Sequence, residues 1–282
     1  MTKPEGRRVV VMPGGGFCFG VKRAVDAVLR AEGSVAALGE LAHNPKVMED
    51  LRRAGVRIID SPEDLMPEET VIVRSHGVAP DVMNRLEAVA AEVIDATCPR
   101  VRRAQKAASD AADAGWPVVV VGSASHPEVE GVVGHAGPGT EVVSNVGEAL
   151  KLPHLPRRAA VFQTTFDPSS VDEVIEALRQ VTDNLKVHDT LCPVVADRRQ
   201  TVARLAAEVE AVVVVGGSNS SNTAALAQVV KKAGTPVYSV ERAKGLPMEE
   251  LEDYESLAVI GGTSTPLESL EEVAGCLSGC CG

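Results

Sequence analysis

Three cysteines stand far apart in the body of the chain, and each sits in the same kind of stretch. Cys18 lies in VVVMPGGGFCFGVKRAVDAV, Cys98 in EVIDATCPRVRRAQKAA and Cys192 in LKVHDTLCPVVADRRQTVARL. In each case an extended, β-branched run leads into the cysteine, and a helix-forming run follows. A single buried cysteine is ordinarily a small core hydrophobe. Three at equivalent places of a repeat are better read as a ligand set. Cysteine thiolates are the usual ligands of iron–sulfur clusters, and three of them fit a cluster with one iron left open. The C-x₂₋₄-C spacing of structural zinc sites is absent.

A second set of reactive side chains falls in polar turns that also recur. His43-Asn44, His126-Pro127-Glu128 and Ser220-Ser221-Asn222 each follow an apolar run and open a helical one. His76, Thr164 with Thr165, and Ser264 occupy the next such turn of each copy. Most of these groups are hydroxyls, amides and imidazoles. At helix N-termini they suit an anion, phosphate in particular, because unsatisfied N–H groups and the helix dipole point there. Glu128 is the one carboxyl group among the turn residues, and alone it could be a helix N-terminal carboxylate favoured by the dipole. His135, His154 and His188 lack the pattern and read as structural or solvent-facing. Residues 14–16, Gly-Gly-Gly, match neither nucleotide-loop pattern. They read as a tight turn that lets backbone approach the cluster.

These residues need elements to position them, and the repeat supplies those elements. Four modules recur three times in one order: the cysteine module; a strand, polar turn and helix; a short strand (VRIID, EVVSN, PVYSV); and a strand, polar turn, proline and helix. Cys18 and Cys98 are 80 residues apart, and Cys98 and Cys192 are 94 apart. The prolines of the last module are Pro80, Pro168 and Pro266. The pattern predicts an α/β protein of three pseudo-threefold-related units, each a small, mostly parallel sheet flanked by helices. The expected divisions are residues 13–97, 98–188 and 189–282, with the strand in residues 1–12 placed to join the third. Ligands of open α/β sheets bind beyond the carboxyl ends of the strands. The cysteines and polar turns are therefore expected to converge on one central cavity.

Composition narrows the function classes. The chain has 282 residues and a net charge of −11, with no Lys/Arg run that reads as a nucleic-acid footprint. No apolar run reaches the length of a membrane span, and residues 1–8 lack the apolar stretch of a signal peptide. The expected location is the cytoplasm, where thiols stay reduced. Cys276, Cys280 and Cys281 crowd the last seven residues without repeat equivalents. They read as an oxidisable tail, or else as a second metal or redox site.

The pieces GFCFGVKRAV, ELAHNPKVMEDL, SHGVAP, VIDATCP, HPEVEGVVG, QTT, DTLCP…DRRQ, SNSSN and STP, in that order, resemble the hydroxymethylbutenyl diphosphate reductases (LytB/IspH). The resemblance covers nearly the whole chain. It implies a trefoil of three units around a [4Fe–4S] cluster held by Cys18, Cys98 and Cys192. It implies that His43, His76, Ser220, Asn222 and Ser264 hold a diphosphate, with Ser221 nearby, and that His126, Glu128 and Thr164 surround the substrate hydroxyl. The hydroxyl would leave as water after two electrons arrive from an external donor such as a flavodoxin or ferredoxin, with protons routed through Glu128. The products would be isopentenyl and dimethylallyl diphosphate. The chain departs from the family pattern at Phe19, Arg74, Arg100, Val195, Ser218 and the GSASHP lead-in. A paralogue reducing a related substrate in a specialised pathway therefore stays open, as does a non-catalytic iron–sulfur sensor. The His126-x-Glu128 pair argues against the sensor, which needs no proton donor.

Overall fold

The computed structural model describes residues 7–279. The first sheet is built from β2 (Val35–Leu38), β3 (Arg57–Ile59), β4 (Thr70–Val73) and β5 (Glu92–Asp95). The second contains β6 (Val118–Val121), β7 (Glu141–Val143), β8 (Leu155–Phe162) and β9 (Thr182–His188). The third joins β1 (Arg8–Val11) to β10 (Ala211–Val215), β11 (Val237–Val240) and β12 (Ser256–Gly261). Every strand pairing is parallel. The strand orders are β5-β4-β2-β3, β9-β8-β6-β7 and β1-β12-β10-β11. This is one order repeated three times, with the strand that runs into a cysteine always at the same edge.

The helices are α1 (Phe19–Arg30), α2 (Pro45–Arg53), α3 (Pro80–Glu87), α4 (Pro99–Asp113), α5 (Pro127–Ala136), α6 (Val146–Ala149), α7 (Val171–Gln180), α8 (Pro193–Glu208), α9 (Ser221–Lys232), α10 (Met248–Leu251) and α11 (Leu267–Leu277). Five of them begin with proline. Its fixed φ suits the first helical position, and its missing N–H costs nothing there. Among the described residues no helix is long and apolar enough to cross a membrane.

The valine runs are explained by burial on both faces. In the second sheet Val118, Val120, Ala159 and Val161 pack with Ala104, Ala108 and Ala111 of α4 and with Val129 and Val132 of α5. The alternate residues Val119, Val121, Ala160 and Phe162 pack with Val174, Ala177 and Leu178 of α7. The third sheet does the same, with α8 and α9 on one face and α11 on the other. Alanine and valine in place of aromatics give thin, regular cores, and the strand ends inherit that regularity.

The chain divides into two compact units. One takes in the residues up to Lys22, Glu40–Gly55 and the residues from Pro193 on, and so holds the third sheet and α2. The other takes in Arg23–Gly39 and Val56–Cys192, and so holds the first two sheets.

One buried charge braces the second sheet. Arg158 of β8 is fully buried. Its guanidinium donates to Glu141 Oε2 at 3.1 Å, Thr182 Oγ1 at 2.7 Å, and the carbonyls of Val181 and Pro153 at 3.2 and 3.0 Å. Removing one partner of such a set leaves the others desolvated and unpaired. Arg158→Ala should therefore destabilise the protein by about 3–5 kcal/mol in equilibrium urea unfolding. An unchanged midpoint would show that the network contributes nothing net.

Candidate active site

Each cysteine is fastened by the same backbone hydrogen bond. Cys18 N donates to Thr263 O at 3.0 Å, Cys98 N to Ser75 O at 3.0 Å, and Cys192 N to Thr164 O at 2.8 Å. Thr263, Ser75 and Thr164 follow the sheet-central strands β12, β4 and β8. The cysteine-bearing edge strand of each sheet is thus tied to the turn leaving its neighbour. Each cysteine directly precedes a helix. Cys98 is the N-cap of α4, and its carbonyl accepts from Arg102 N at 2.9 Å. Cys18 O accepts from Lys22 N at 2.9 Å at the start of α1. All three side chains are thiols and only partly buried.

The loop that carries Cys18 has its own brace. Arg198 of α8, largely buried, donates to Gly14 O at 3.1 Å, Gly16 O at 3.0 Å and Gly261 O at 3.2 Å. A Cβ on Gly15 would come within 2.7 Å of Leu270, and one on Gly16 within 3.2 Å of Leu267. The glycines therefore permit close approach to α11, and Gly14 and Gly16 also need positive φ.

Around Cys98 and Cys192 the unit gathers further expected residues. His126 caps α5, and its Nδ1 accepts from Glu128 N at 3.2 Å. An imidazole that accepts at Nδ1 carries its proton on Nε2 when neutral, and so offers a donor there. The His76 and His126 rings meet edge to face, with centroids 5.2 Å apart. Glu128 is 1% exposed. Its Oε1 accepts from Thr164 N at 2.5 Å, and its Oε2 from Thr164 Oγ1 at 2.9 Å. Burial pushes its carboxyl up to about 7, against the opposing pull of the two Thr164 hydrogen bonds. Thr164 thus holds the acid through its N–H and hydroxyl, and Cys192 through its carbonyl.

The other unit holds the Ser220-Ser221-Asn222 turn and His43. Ser220 caps α9, with Oγ accepting from Thr223 N at 3.3 Å. Asn222 Nδ2 donates to Thr263 Oγ1 at 2.9 Å. Ser264 Oγ donates to His43 O at 3.2 Å. In the His43-Asn44 pair it is Asn44 that caps α2, accepting from Lys46 N and Val47 N. Ser221 is exposed. Cys276 lies partly buried in α11, and Cys280 and Cys281 fall outside the described residues.

The repeat makes one comparison within the site possible. Glu128 and Asn222 both occupy the second position of their helices, and both hydrogen-bond the hydroxyl of the threonine that anchors a cysteine. The first copy has Lys46 at this position, and it pairs with Glu272 at 2.9 Å. One framework therefore presents an acid, an amide or a cation at the same place, and only the second copy presents the acid.

Three parallel four-stranded sheets flanked by helices, each with an edge strand that leads to a thiol anchored at a helix start, define an α/β protein built on one repeated frame. The LytB protein family model matches residues 9–278, and the chain belongs to that family. The "4-hydroxy-3-methylbut-2-enyl diphosphate reductase" of Geotalea uraniireducens is 36% identical over 269 residues, covering 94% of this chain and 95% of the relative. The protein of the same name from Caldanaerobacter subterraneus is 34% identical over 272 residues, covering 94% of each. A solved (E)-4-hydroxy-3-methyl-but-2-enyl diphosphate reductase, described as the terminal enzyme of the non-mevalonate pathway, matches with a TM-score of 0.73 and 32% identity, over 96% of this chain and 99% of that one. The Plasmodium falciparum reductase shares the fold, with a TM-score of 0.89 at 22% identity over 97% of this chain and 88% of that one. These relationships make the chain an oxidoreductase.

The raised carboxyl of Glu128 has a consequence for stability. Between about 4.5 and about 7 the folded protein keeps a proton that the unfolded chain has lost. Its contribution to stability is present below that window and declines as pH rises through it. The difference of about 2.5 units corresponds to roughly 3 kcal/mol. Relative to wild type, Glu128→Gln should gain about this much stability between pH 5 and pH 8 in urea unfolding. Parallel pH profiles would contradict the assignment of a neutral carboxyl.

Proposed function

We propose that this protein reductively removes the hydroxyl of 4-hydroxy-3-methylbut-2-enyl diphosphate to give isopentenyl and dimethylallyl diphosphate in the cytoplasm. The observation that carries the reading is Glu128, a carboxyl whose pKa burial raises to about 7 and which is held in place by a strand-turn threonine that also anchors a cysteine. A hydroxyl is a poor leaving group unless it is protonated, and an acid with a pKa near the working pH is suited to the task.

Cys18, Cys98 and Cys192 would ligate a [4Fe–4S] cluster. The donor set fits that group. Each of the three thiols follows a backbone anchor of the same kind at the end of a central strand, and all three are partly exposed. In such a cluster each of three irons takes one thiolate. When bound, the cluster supplies electrons and an open iron for the substrate oxygen.

The chain's own groups do the rest. Protonated Glu128 donates to the departing hydroxyl, and Thr164 keeps its carboxyl in place. His126 offers Nε2–H beside it. The diphosphate is assigned to His43, His76, Ser220, Asn222 and Ser264, with Ser221 nearby. These are hydroxyl, amide and imidazole groups near helix starts, where an anion is favoured. Each turnover takes up two electrons and two protons, breaks one C–O bond, forms one C–H bond and releases water.

The test is anaerobic turnover of 4-hydroxy-3-methylbut-2-enyl diphosphate with reduced methyl viologen, with both products identified. Wild type should consume the dye and the substrate together. Cys18→Ser, Cys98→Ser and Cys192→Ser should each lose most iron and all turnover. Full iron and sulfide content in all three variants would overturn the ligand assignment. Dye oxidation without either product would overturn the substrate.

A further inference from the structure

The proposed reaction consumes two electrons, and the chain has no dinucleotide-binding motif to draw them from a nicotinamide or flavin of its own. They must arrive from outside, close to a cluster ligand. The surface next to Cys98 is basic on a chain that is acidic overall. Overall the chain carries 39 acidic against 28 basic residues. Yet α4, which starts immediately after Cys98, presents Arg100, Arg102, Arg103 and Lys106 within seven residues, and all four are exposed.

Intramolecular partners neutralise only half of this set. Arg102 pairs with Asp95 at 2.7 Å and Lys106 with Asp110 at 2.8 Å. Among the described residues, Arg100 and Arg103 have no ion pair. Arg102, Arg103 and Lys106 line an open cleft of about 410 Å³, together with Pro99, with Asp110 that pairs Lys106, and with His188 of the edge strand β9. Lys186 stands two residues before His188 on the same face of that strand. The cleft therefore runs from the residue following Cys98 along a basic helix to a basic strand edge.

We infer that this α4–β9 face is the docking surface for a small acidic protein carrying a one-electron centre, which delivers electrons beside Cys98. The inference rests on the reductive reading above and adds the site and charge of the donor. Charge complementarity selects the occupant. On a protein of net charge −11, a patch of uncompensated arginines steers an acidic partner to one place and orients it there. Redox partners typically bury small, polar interfaces that release quickly, and an open cleft with charged walls suits such an encounter. Two donor molecules, each oxidised by one electron, serve one turnover.

The experiment uses cluster-loaded protein and a reduced acidic [2Fe–2S] ferredoxin as the probe, with reduced methyl viologen in parallel. The test variant is Arg100→Glu/Arg103→Glu, and neither residue belongs to the ligand or substrate set. With ferredoxin at low salt the variant's second-order rate should fall by about tenfold or more, whereas its methyl viologen rate should match wild type. Wild-type binding of oxidised ferredoxin, measured by calorimetry, should weaken as salt rises from about 0.02 M to about 0.3 M, and the variant should lose much of that dependence. Equal ferredoxin rates and equal salt dependence in the two proteins would overturn the docking surface while leaving the reductase reading intact. Failure of wild type with methyl viologen as well would overturn the reductive reading, and this inference with it.

Discussion

The site depends on one arrangement: a residue at the end of a central strand that uses its carbonyl to hold a cysteine. A strand that stops at the edge of a polar turn leaves backbone groups without ladder partners, and burial makes those groups costly unless they are paired. Thr263, Ser75 and Thr164 resolve this in the same way, by accepting from the N–H of Cys18, Cys98 and Cys192. The thiols are therefore positioned by main chain rather than by side-chain packing. Repeating a parallel sheet of fixed strand order three times repeats the anchor with it.

Chemistry enters where the copies differ. Thr164 and Thr263 each engage the second residue of a neighbouring helix, Glu128 in one case and Asn222 in the other. An amide there is a neutral hydrogen-bonding group. A carboxyl in the same buried place must either ionise at a large desolvation cost or keep its proton, and Glu128 keeps it up to about pH 7. One framework thus presents a neutral amide in one copy and a buried acid in another. Lys46, the third counterpart, turns to Glu272.

Much of the fold was legible in the sequence because the repeat is expressed in residue type. Valine runs mark strands buried on both faces, prolines mark helix starts, and the cysteines mark equivalent edges. The contribution of β1 to the third sheet is less visible, since it pairs β12 across almost the whole chain. At the site the sequence offered candidate residues but not the bonds among them. Thr263, Ser75 and Arg198 gave no chemical signal. Their roles come from contacts that residue types do not encode, such as those of Arg198 with glycines more than 180 positions away. Within the histidine-asparagine turn, the cap of α2 is Asn44. The buried state of Glu128 follows from Thr164, which lies 36 residues downstream and meets it only through the β6–β8 pairing.

The most direct test of this account is the pH dependence of kcat in cluster-loaded wild type and Glu128→Gln, with iron content verified in each sample. Glutamine can keep hydrogen bonds to the Thr164 N–H and hydroxyl but has no proton to give. Wild-type kcat should decline as pH rises through about 7, where Glu128 ionises. Glu128→Gln should be slower by about 10²–10⁴-fold and should lack that decline. Near-wild-type kcat in the variant, or the same pH profile in both proteins, would contradict the assignment of Glu128 as the proton donor.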